Sequence, residues 1–296
     1  MQDLFKQITD QIIAAIEEGV GDFTMPWHAG AAGQPVNAGN RRPYRGINTL
    51  LLWAEARRAG YASPRWATYR QWTEMGAQVR KGQTSTTVLF WKGLGSGSGR
   101  DDAGGDESDT RARIVARSFR VFNASQVDGY HEQPPDLLAD IERIDHAEQF
   151  LKRLPAAIWY GADSAFYDVR SDTVSMPSFA AFRSPVSFYS VLAHELVHWS
   201  GAHHRLGRDL KQRFGSEAYA MEELIAEIGA AFLGAQLGLA IEPRRDHAPY
   251  IANWLRVLRD DPRAIVTAAS KAQIAVTYLT KLACPPGNGA IEEQAA

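Results

Sequence analysis

The chain has 296 residues, of which 45% are apolar and 10% aromatic, enough to bury a core and to form one large domain or two average ones. A single cysteine, Cys284, excludes a disulfide framework and a cysteine-based zinc site within the chain. No stretch has the length and apolarity of a membrane span or the form of a signal peptide, so we expect a cytoplasmic protein with no membrane partner.

The net charge of −2 is unevenly distributed along the chain. Residues 1–130 carry 16 basic and 13 acidic side chains, a balance of +3, whereas residues 131–296 carry 16 and 21, a balance of −5. Ten basic residues lie between Arg41 and Lys92, where the acidic residues are only Glu55 and Glu74. A basic half and an acidic half indicate two functions in one chain.

The N-terminal half is predicted to be an α+β domain, residues 1–130. Apolar residues at helical spacing predict a first helix that ends at Gly19, and further helices run from Ile47 to Gly60 and from about Thr68 to Gly76. Two strands are predicted at 86–91 and 114–122. The Gly-, Ser- and Asp-rich stretch between them, about 93–112, is interpreted as a flexible loop that joins two strands of one sheet.

A second domain is predicted from 136 to 284, mostly helical with a small sheet, after a boundary at 128–135. Ser184 followed by Pro185 is a typical helix start, because serine caps the first turn and proline fits its first position. That helix runs to Trp199. Other helices are predicted at about 137–154 and 217–239, two more extend to Leu282, strands lie at 157–160 and 172–177, and residues 285–296 are expected to be a disordered tail.

A histidine pair on the helix that ends at Trp199 indicates a metal site. His194 and His198 are four residues apart and project from one helical face, where both imidazoles can reach one ion. Glu195 lies one step round the helix, placed to act as general base toward an attacking water. This spacing predicts a zincin-type hydrolase with Zn²⁺, although a site of two histidines and one carboxylate also accepts Mn²⁺ or Co²⁺.

Two residues compete for the position of third ligand. His204 completes a longer pattern of three histidines and a glycine. Glu223 and Glu227 lie one turn apart on the predicted acidic helix, and carboxylates at this spacing repel each other unless a cation or histidine lies between them. We favour Glu223 as ligand and Glu227 as a second-layer carboxylate that supports a ligand histidine; His204 stays open. Tyr189 and Tyr219 are candidates for stabilising an oxyanion.

Aromatic residues are interleaved with the basic residues of the N-terminal half. A positive surface with stackable rings is the physical basis of single-stranded nucleic acid binding. Two predicted basic loops supply the candidate DNA-binding residues, which are Arg41, Arg42, Tyr44, Arg45, Arg80 and Lys81. Phe90 and Trp91 lie in a predicted strand and are expected in the core.

Six short motifs together carry a family resemblance. They are Pro43–Asn48, Val79–Gly82, Val121–Asn123, His194–Gly201, Arg205–Leu206 and Glu222–Glu227. Through them the chain resembles the ArdC antirestriction proteins of conjugative plasmids, and its first part is similar to the N-terminal region of TraC-type plasmid primases. The resemblance covers about residues 1–282. It implies a domain that binds single-stranded DNA, a zincin-like metallopeptidase domain, Glu223 as metal ligand, and protection of incoming plasmid DNA from host restriction.

Three functional hypotheses remain open at this point. The first is an antirestriction protein that coats single-stranded DNA and either only shields it or also cleaves a host protein such as a restriction enzyme. The second is a DNA-tethered metalloprotease that clears or cleaves DNA-bound host proteins. The third is a non-catalytic DNA-binding module whose metal only stabilises the fold.

Overall fold

The computed structural model describes residues 2–22, 25–28, 33–94, 113–131, 140–210, 216–239 and 248–285. Most of the predicted loop at 93–112, part of the predicted boundary at 128–135 and nearly all of the predicted tail lie outside these residues. Within the described ranges the chain has a mixed α+β fold, as the sequence predicted.

Three helices of the N-terminal half begin and end close to their predicted limits. They are α1 (Gln2–Gly19), α2 (Ile47–Ala59) and α3 (Tyr69–Glu74). Helix α2 ends at Gly60, whose φ of 69° is a left-handed conformation that glycine adopts without strain. Helix α3 begins after Thr68, which forms a reciprocal capping box with Gln71.

The strands of the N-terminal sheet are β1 (Val36–Asn37), β2 (Arg65–Thr68), β4 (Thr86–Leu94) and β5 (Arg113–Asn123). Their order in the sheet is β1-β2-β5-β4. A separate antiparallel pair consists of β3 (Gln78–Val79) and β6 (Val127–Asp128). Strands β4 and β5 pair antiparallel from Thr86 opposite Val121 to Leu94 opposite Arg113, which confirms the predicted pairing of two strands in one sheet.

In the described residues of the C-terminal half, five α-helices accompany a three-stranded sheet. The helices are α4 (Asp140–Lys152), α5 (Pro185–Ser200), α6 (Glu217–Gln236), α7 (Ala248–Asp260) and α8 (Ala264–Ala283). The strands are β7 (Ala157–Tyr160), β8 (Phe166–Asp168) and β9 (Thr173–Met176), in the order β7-β9-β8. Strand β8, which the sequence did not predict, lies at one edge and pairs antiparallel with β9. None of the described helices is both long and apolar enough to span a bilayer.

One hydrophobic core crosses the boundary that the sequence predicted between the two halves. Apolar residues of α1 and α2 belong to the same buried cluster as those of α5 to α8. The Trp27 ring meets Trp254 of α7 at a centroid distance of 5.8 Å, and Trp53 of α2 meets Phe232 of α6 at the same distance. The predicted boundary therefore divides the sequence into two regions but does not divide the core.

Helices α5 and α6 approach closely where Gly229 faces Val197. A Cβ added to Gly229 would lie 2.8 Å from Val197 Cγ2 and 3.0 Å from its Cγ1. Non-bonded carbon atoms essentially never lie that close, so a larger residue here would force Val197 or the helices to shift. The absence of a side chain at position 229 thus sets the spacing between the helices that carry the predicted ligands.

We expect Gly229→Ala to lower the free energy of unfolding by about 1–3 kcal/mol, because the new methyl group overpacks this crossing. Urea denaturation measures the loss. Val197→Ala removes the opposing methyl groups, so the double variant should lose less stability than the sum of the two single variants. Simple additivity of the two losses would contradict this view of the helix contact.

Candidate metal centre

Helix α5 presents the two histidines of the predicted site. Its first turn is fixed as predicted: the Ser184 side chain accepts the Ser187 N–H, and Pro185 occupies the first helical position. Most of the helix is buried, including both sides of the turn that carries His194 and His198. Their rings lie 4.8 Å apart at 78° to each other, and their Nε2 atoms are 3.2 Å apart.

Glu223 of α6 lies opposite these histidines. Its Oε2 is 3.5 Å from His194 Nε2, and its Oε1 is 3.6 Å from His198 Nε2. In a tetrahedral site with bonds of about 2.0–2.2 Å, neighbouring ligand atoms lie about 3.3–3.6 Å apart. The three donors therefore fit one Zn²⁺-sized ion. Among the described residues, this is the group whose ligand atoms are close enough to share an ion. We refer to His194, His198 and Glu223 as the metal centre, in the sense of a candidate site for an ion.

The second nitrogen of each histidine faces a carboxylate on α6. His198 Nδ1 is 3.2 Å from Glu222 Oε1, and His194 Nδ1 is 3.4 Å from Glu227 Oε2. A carboxylate at Nδ1 holds the proton on that nitrogen and leaves the lone pair of Nε2 directed toward a metal. His198 is therefore oriented by a carboxylate within hydrogen-bond distance, and His194 Nδ1 lies at ion-pair distance from a second carboxylate, both on the helix that also provides Glu223.

Glu227 is itself held by residues from the N-terminal half. His28 Nδ1 accepts the Met25 N–H at 3.0 Å, so the proton of the neutral ring lies on Nε2, which donates to Glu227 Oε1 at 3.2 Å. Trp27 Nε1 lies 3.4 Å from the same oxygen. A chain of contacts thus runs from His28 through Glu227 to His194. No local pattern could have indicated it, because His28 and Glu227 are 199 positions apart.

Glu222 is the other residue that sequence reasoning missed, since it could equally have lain on a solvated helix face. It is buried, and Arg208 holds it with two contacts of 3.0 Å, from Nε to Oε2 and from Nη2 to Oε1. Arg208 Nη1 also donates to Ser200 Oγ at the end of α5. This arginine compensates the buried charge of Glu222 and ties the loop after α5 to α6.

The pKa of Glu223 reflects two opposing effects. Burial alone would raise it, but the hydrogen bond to His194 and the charges that His198 and His194 carry when protonated outweigh burial and lower the pKa to about 2. Burial would also raise the pKa of Glu222, but its contacts with His198 and Arg208 outweigh burial and lower that pKa. Both carboxylates are ionised at neutral pH, as binding of a cation requires.

Glu195 and Tyr219 line the same cavity of about 340 Å³ as the metal centre. Tyr219 interacts with Glu223 and lies 3.4 Å from the Tyr250 hydroxyl. Burial, the hydrogen bond to Tyr250 and the charge of Glu223 raise the pKa of Tyr219, so its phenol remains a proton donor. Tyr189 lies elsewhere, with its hydroxyl bound to Glu148 of α4, and is not in a position to contact a substrate in this cavity.

His204, the alternative third ligand, does not join the metal centre. Its side chain is 62% exposed, and its Nε2 lies 3.4 Å from Asp172 Oδ2. The neighbouring Arg205 stacks on Trp199 at 3.9 Å, donates to the Trp199 carbonyl and binds Asp172. These contacts hold the segment after α5 against the β8–β9 connection and direct His204 away from His194 and His198.

Five of the six predicted DNA-binding residues have exposed side chains. The side chains of Arg41, Arg42, Arg45 and Lys81 are exposed. Arg80 is also exposed, but its guanidinium hydrogen-bonds Asp128 and the backbone carbonyls of Ser125 and Val127.

Tyr44 requires a correction, because the sequence predicted it as an exposed stacking ring. Only 5% of the residue is exposed, and its ring packs in a core cluster with Trp66, Val88 and Val121. Its hydroxyl accepts from Asn37 Nδ2 at 3.2 Å. A ring in this environment offers no open face to a base.

Two family models match separate parts of the chain. One describes the N-terminal domain of anti-restriction factor ArdC and matches residues 2–122. The other describes a zincin-like metallopeptidase and matches residues 145–271.

Solved structures of the antirestriction protein ArdC from plasmid R388 are similar to almost the whole chain. The metal-free structure has 38% sequence identity and a TM-score of 0.77. The Mn(II)-bound structure has 38% identity and a TM-score of 0.76. Each comparison covers 95% of this chain and 98% of the other.

Two kinds of relative are found among curated proteins. The uncharacterised protein y4eC of Sinorhizobium fredii is 50% identical over 275 residues, covering 92% of this chain and 89% of that protein. A DNA primase TraC of Escherichia coli is 34% identical over 317 residues, covering 98% of this chain but only 29% of the primase. The similarity to TraC therefore concerns one part of a much longer protein.

We expect Glu223→Gln to weaken Zn²⁺ binding by more than about 100-fold, since even the loss of a carboxylate that only supports a ligand costs about 10- to 100-fold. Competition against a chromophoric chelator measures the affinity. His204→Ala is the matched control and should bind Zn²⁺ within about twofold of the wild type. The opposite pattern, a metal-free His204→Ala and a loaded Glu223→Gln, would assign the third ligand to His204.

Proposed function

Because the chain belongs to the ArdC family of antirestriction proteins, we propose that it binds single-stranded DNA and protects incoming conjugative plasmid DNA from host restriction. We further propose that His194, His198 and Glu223 bind Zn²⁺, with Mn²⁺ or Co²⁺ as substitutes, and that the site hydrolyses peptide bonds. The observation that supports the catalytic part is the meeting of these three donors with Glu195 in one cavity.

A divalent ion bound there would polarise a substrate carbonyl and make an adjacent water more acidic. Glu195 is the general base: its carboxylate takes a proton from the water that attacks the carbonyl carbon and delivers it to the leaving amide nitrogen. Tyr219 is the oxyanion donor, because its raised pKa keeps the phenolic proton in place. Glu222 and Glu227 hold the two histidines in orientation.

Strand β8 supports a peptide rather than a small molecule as substrate. Within the described part of the chain it is an edge strand, with β9 as its sheet neighbour, and Phe166 and Tyr167 line the cavity beside the metal centre. An edge strand leaves backbone N–H and C=O groups open to pair with an extended peptide. A peptide held along β8 would run along the cavity that Glu195 also lines.

Four exposed basic residues of the N-terminal half support the DNA-binding part of the proposal. Arg41 and Arg42 belong to a turn that is fixed by hydrogen bonds: the Asn37 side chain accepts the N–H groups of Gly39 and Asn40, and Asn37 N–H donates to the Arg42 carbonyl. Arg45 and Lys81 add two further charges. Basic side chains on rigid turns suit contacts to backbone phosphates.

Glu195→Gln tests whether proteolysis contributes to protection. We expect the variant to bind Zn²⁺ and DNA like the wild type but to hydrolyse protein about 10²- to 10⁴-fold more slowly, because the general base is lost. Hydrolysis of labelled casein and self-cleavage, each with and without single-stranded DNA, measure the activity. Unchanged hydrolysis would exclude Glu195 as the base.

The same variant separates the two forms of antirestriction in cells. Transfer of unmodified plasmid DNA into a restricting host measures protection. Full protection by Glu195→Gln would show that occupancy of the DNA is sufficient, whereas loss of protection with DNA binding intact would show that cleavage of a host protein is required.

Removal of three charges tests the DNA contacts. We expect the combination of Arg42→Gln, Arg45→Gln and Lys81→Gln to weaken binding of single-stranded DNA and to reduce the slope of log K against log salt by up to about 2, at about 0.7 for each phosphate contact. The control removes three exposed charges from the other half, with Arg153→Gln, Arg256→Gln and Lys281→Gln. Equal slopes for the two variants would contradict the proposed contacts.

A further inference from the structure

Two phenylalanine rings are exposed on the β4–β5 hairpin. Phe90 is 48% exposed and Phe119 is 42% exposed, and their rings meet edge to face at 5.1 Å. The expectation that Phe90 lies in the core was therefore wrong. Strand alternation and register place Val88 and Val121 on the same face of the hairpin as the two rings. Both valines are fully buried, so the covered part of this face ends where the two rings begin.

These rings form one side of a concave site. Phe90, Phe119 and Val121 line a cavity of about 580 Å³ together with Tyr44 and Gln71. That volume lies in the range of sites that hold small organic molecules, about 300–1,000 Å³. The buried Tyr44 thus contributes to the wall of this cavity instead of offering an open ring face. The opposite side is rigid, because Gln71 caps α3 and its amide pairs with Asn37.

Two arginines line part of the cavity. Arg117 lies directly opposite Phe90 in the register and lines the cavity, as does Arg70. Glu74 also lines it and pairs with Arg70, but both side chains of that pair are largely exposed, so the pair holds Arg70 only weakly. The turn that carries Arg41 and Arg42 adjoins the cavity through Asn40. A ligand with flat apolar rings and a polyanionic backbone matches this combination.

We propose that this cavity binds one or two bases of single-stranded DNA by stacking on Phe90 and Phe119, while Arg117 and Arg70 contact the flanking phosphates. This inference rests on the proposed binding of single-stranded DNA. It adds an aromatic surface for the bases, which the exposed basic loops do not provide. The amides of Asn37 and Gln71 hydrogen-bond each other. Stacking rather than base-edge hydrogen bonds therefore carries the recognition, and binding is tolerant of sequence.

Replacement of both rings by leucine isolates stacking, because leucine keeps the apolar character and removes the aromatic face. We expect Phe90→Leu with Phe119→Leu to bind a labelled thymidine oligonucleotide of about 20 nucleotides at least tenfold more weakly, since each stacked base contributes about 5- to 150-fold. The slope of log K against log salt should not change, because stacking releases no counterions. Fluorescence anisotropy on the full chain loaded with Zn²⁺ measures both quantities.

Two control variants separate stacking from general effects on the fold. Phe90→Tyr with Phe119→Tyr keeps both rings and should bind within about twofold of the wild type. Trp159→Leu removes an aromatic residue that is 57% exposed on β7 of the other half, and should leave DNA affinity unchanged. The zinc content and the urea midpoint of the leucine variant should match the wild type.

The outcomes distinguish this inference from the proposed function. A wild-type chain that binds no single-stranded DNA at low salt would contradict the proposed function itself. A wild-type chain that binds, with a leucine variant that binds equally tightly, would overturn only the stacking pocket. Loss of affinity together with a reduced salt slope would also overturn it, since the rings would then act through the arrangement of the basic residues.

Discussion

The close contact between α5 and α6 is the constraint on which the metal centre depends. Gly229 lets the two helices approach until Val197 fills the space that a side chain would occupy. At that spacing, α5 presents two imidazoles and α6 presents three carboxylates, one between the histidines and one behind each of them. The same contact therefore sets the positions of the donors and the orientation of the rings. A metal centre built on two rigid helices needs little rearrangement to bind an ion.

The N-terminal half takes part in this centre instead of being attached to it by a linker alone. His28 and Trp27 both contact Glu227, which in turn contacts His194, and α1 and α2 share the core of the C-terminal helices. A change in the N-terminal half that displaced His28 would therefore alter the support of a ligand histidine. The regions that we propose for DNA binding and for peptide hydrolysis are therefore in direct physical contact.

Local patterns in the sequence predicted what depends on local structure. The Ser184-Pro185 helix start, the spacing of His194 and His198 and the pairing of two strands follow from turn geometry and periodicity, and each was found near its predicted position. The partners of Glu222 and Glu227 could not be predicted, because Arg208 and His28 reach them only through the tertiary fold. Strand alternation likewise defines two faces but not which one is covered, so Phe90 was assigned to the core although it is exposed. Tyr44 was assigned to the surface as part of a basic loop, because its burial depends on distant residues such as Trp66 and Val121.

X-ray absorption at the zinc edge tests the central claim most directly, because it reports the kinds of ligand around the ion. The arrangement of His194, His198 and Glu223 predicts four nitrogen or oxygen neighbours at about 2.0–2.2 Å, with multiple scattering from two imidazoles. Scattering from three imidazoles would show a third histidine ligand and contradict Glu223 as the third ligand. A shell of six oxygen atoms without imidazole scattering would show that the two helices do not bind the ion at all.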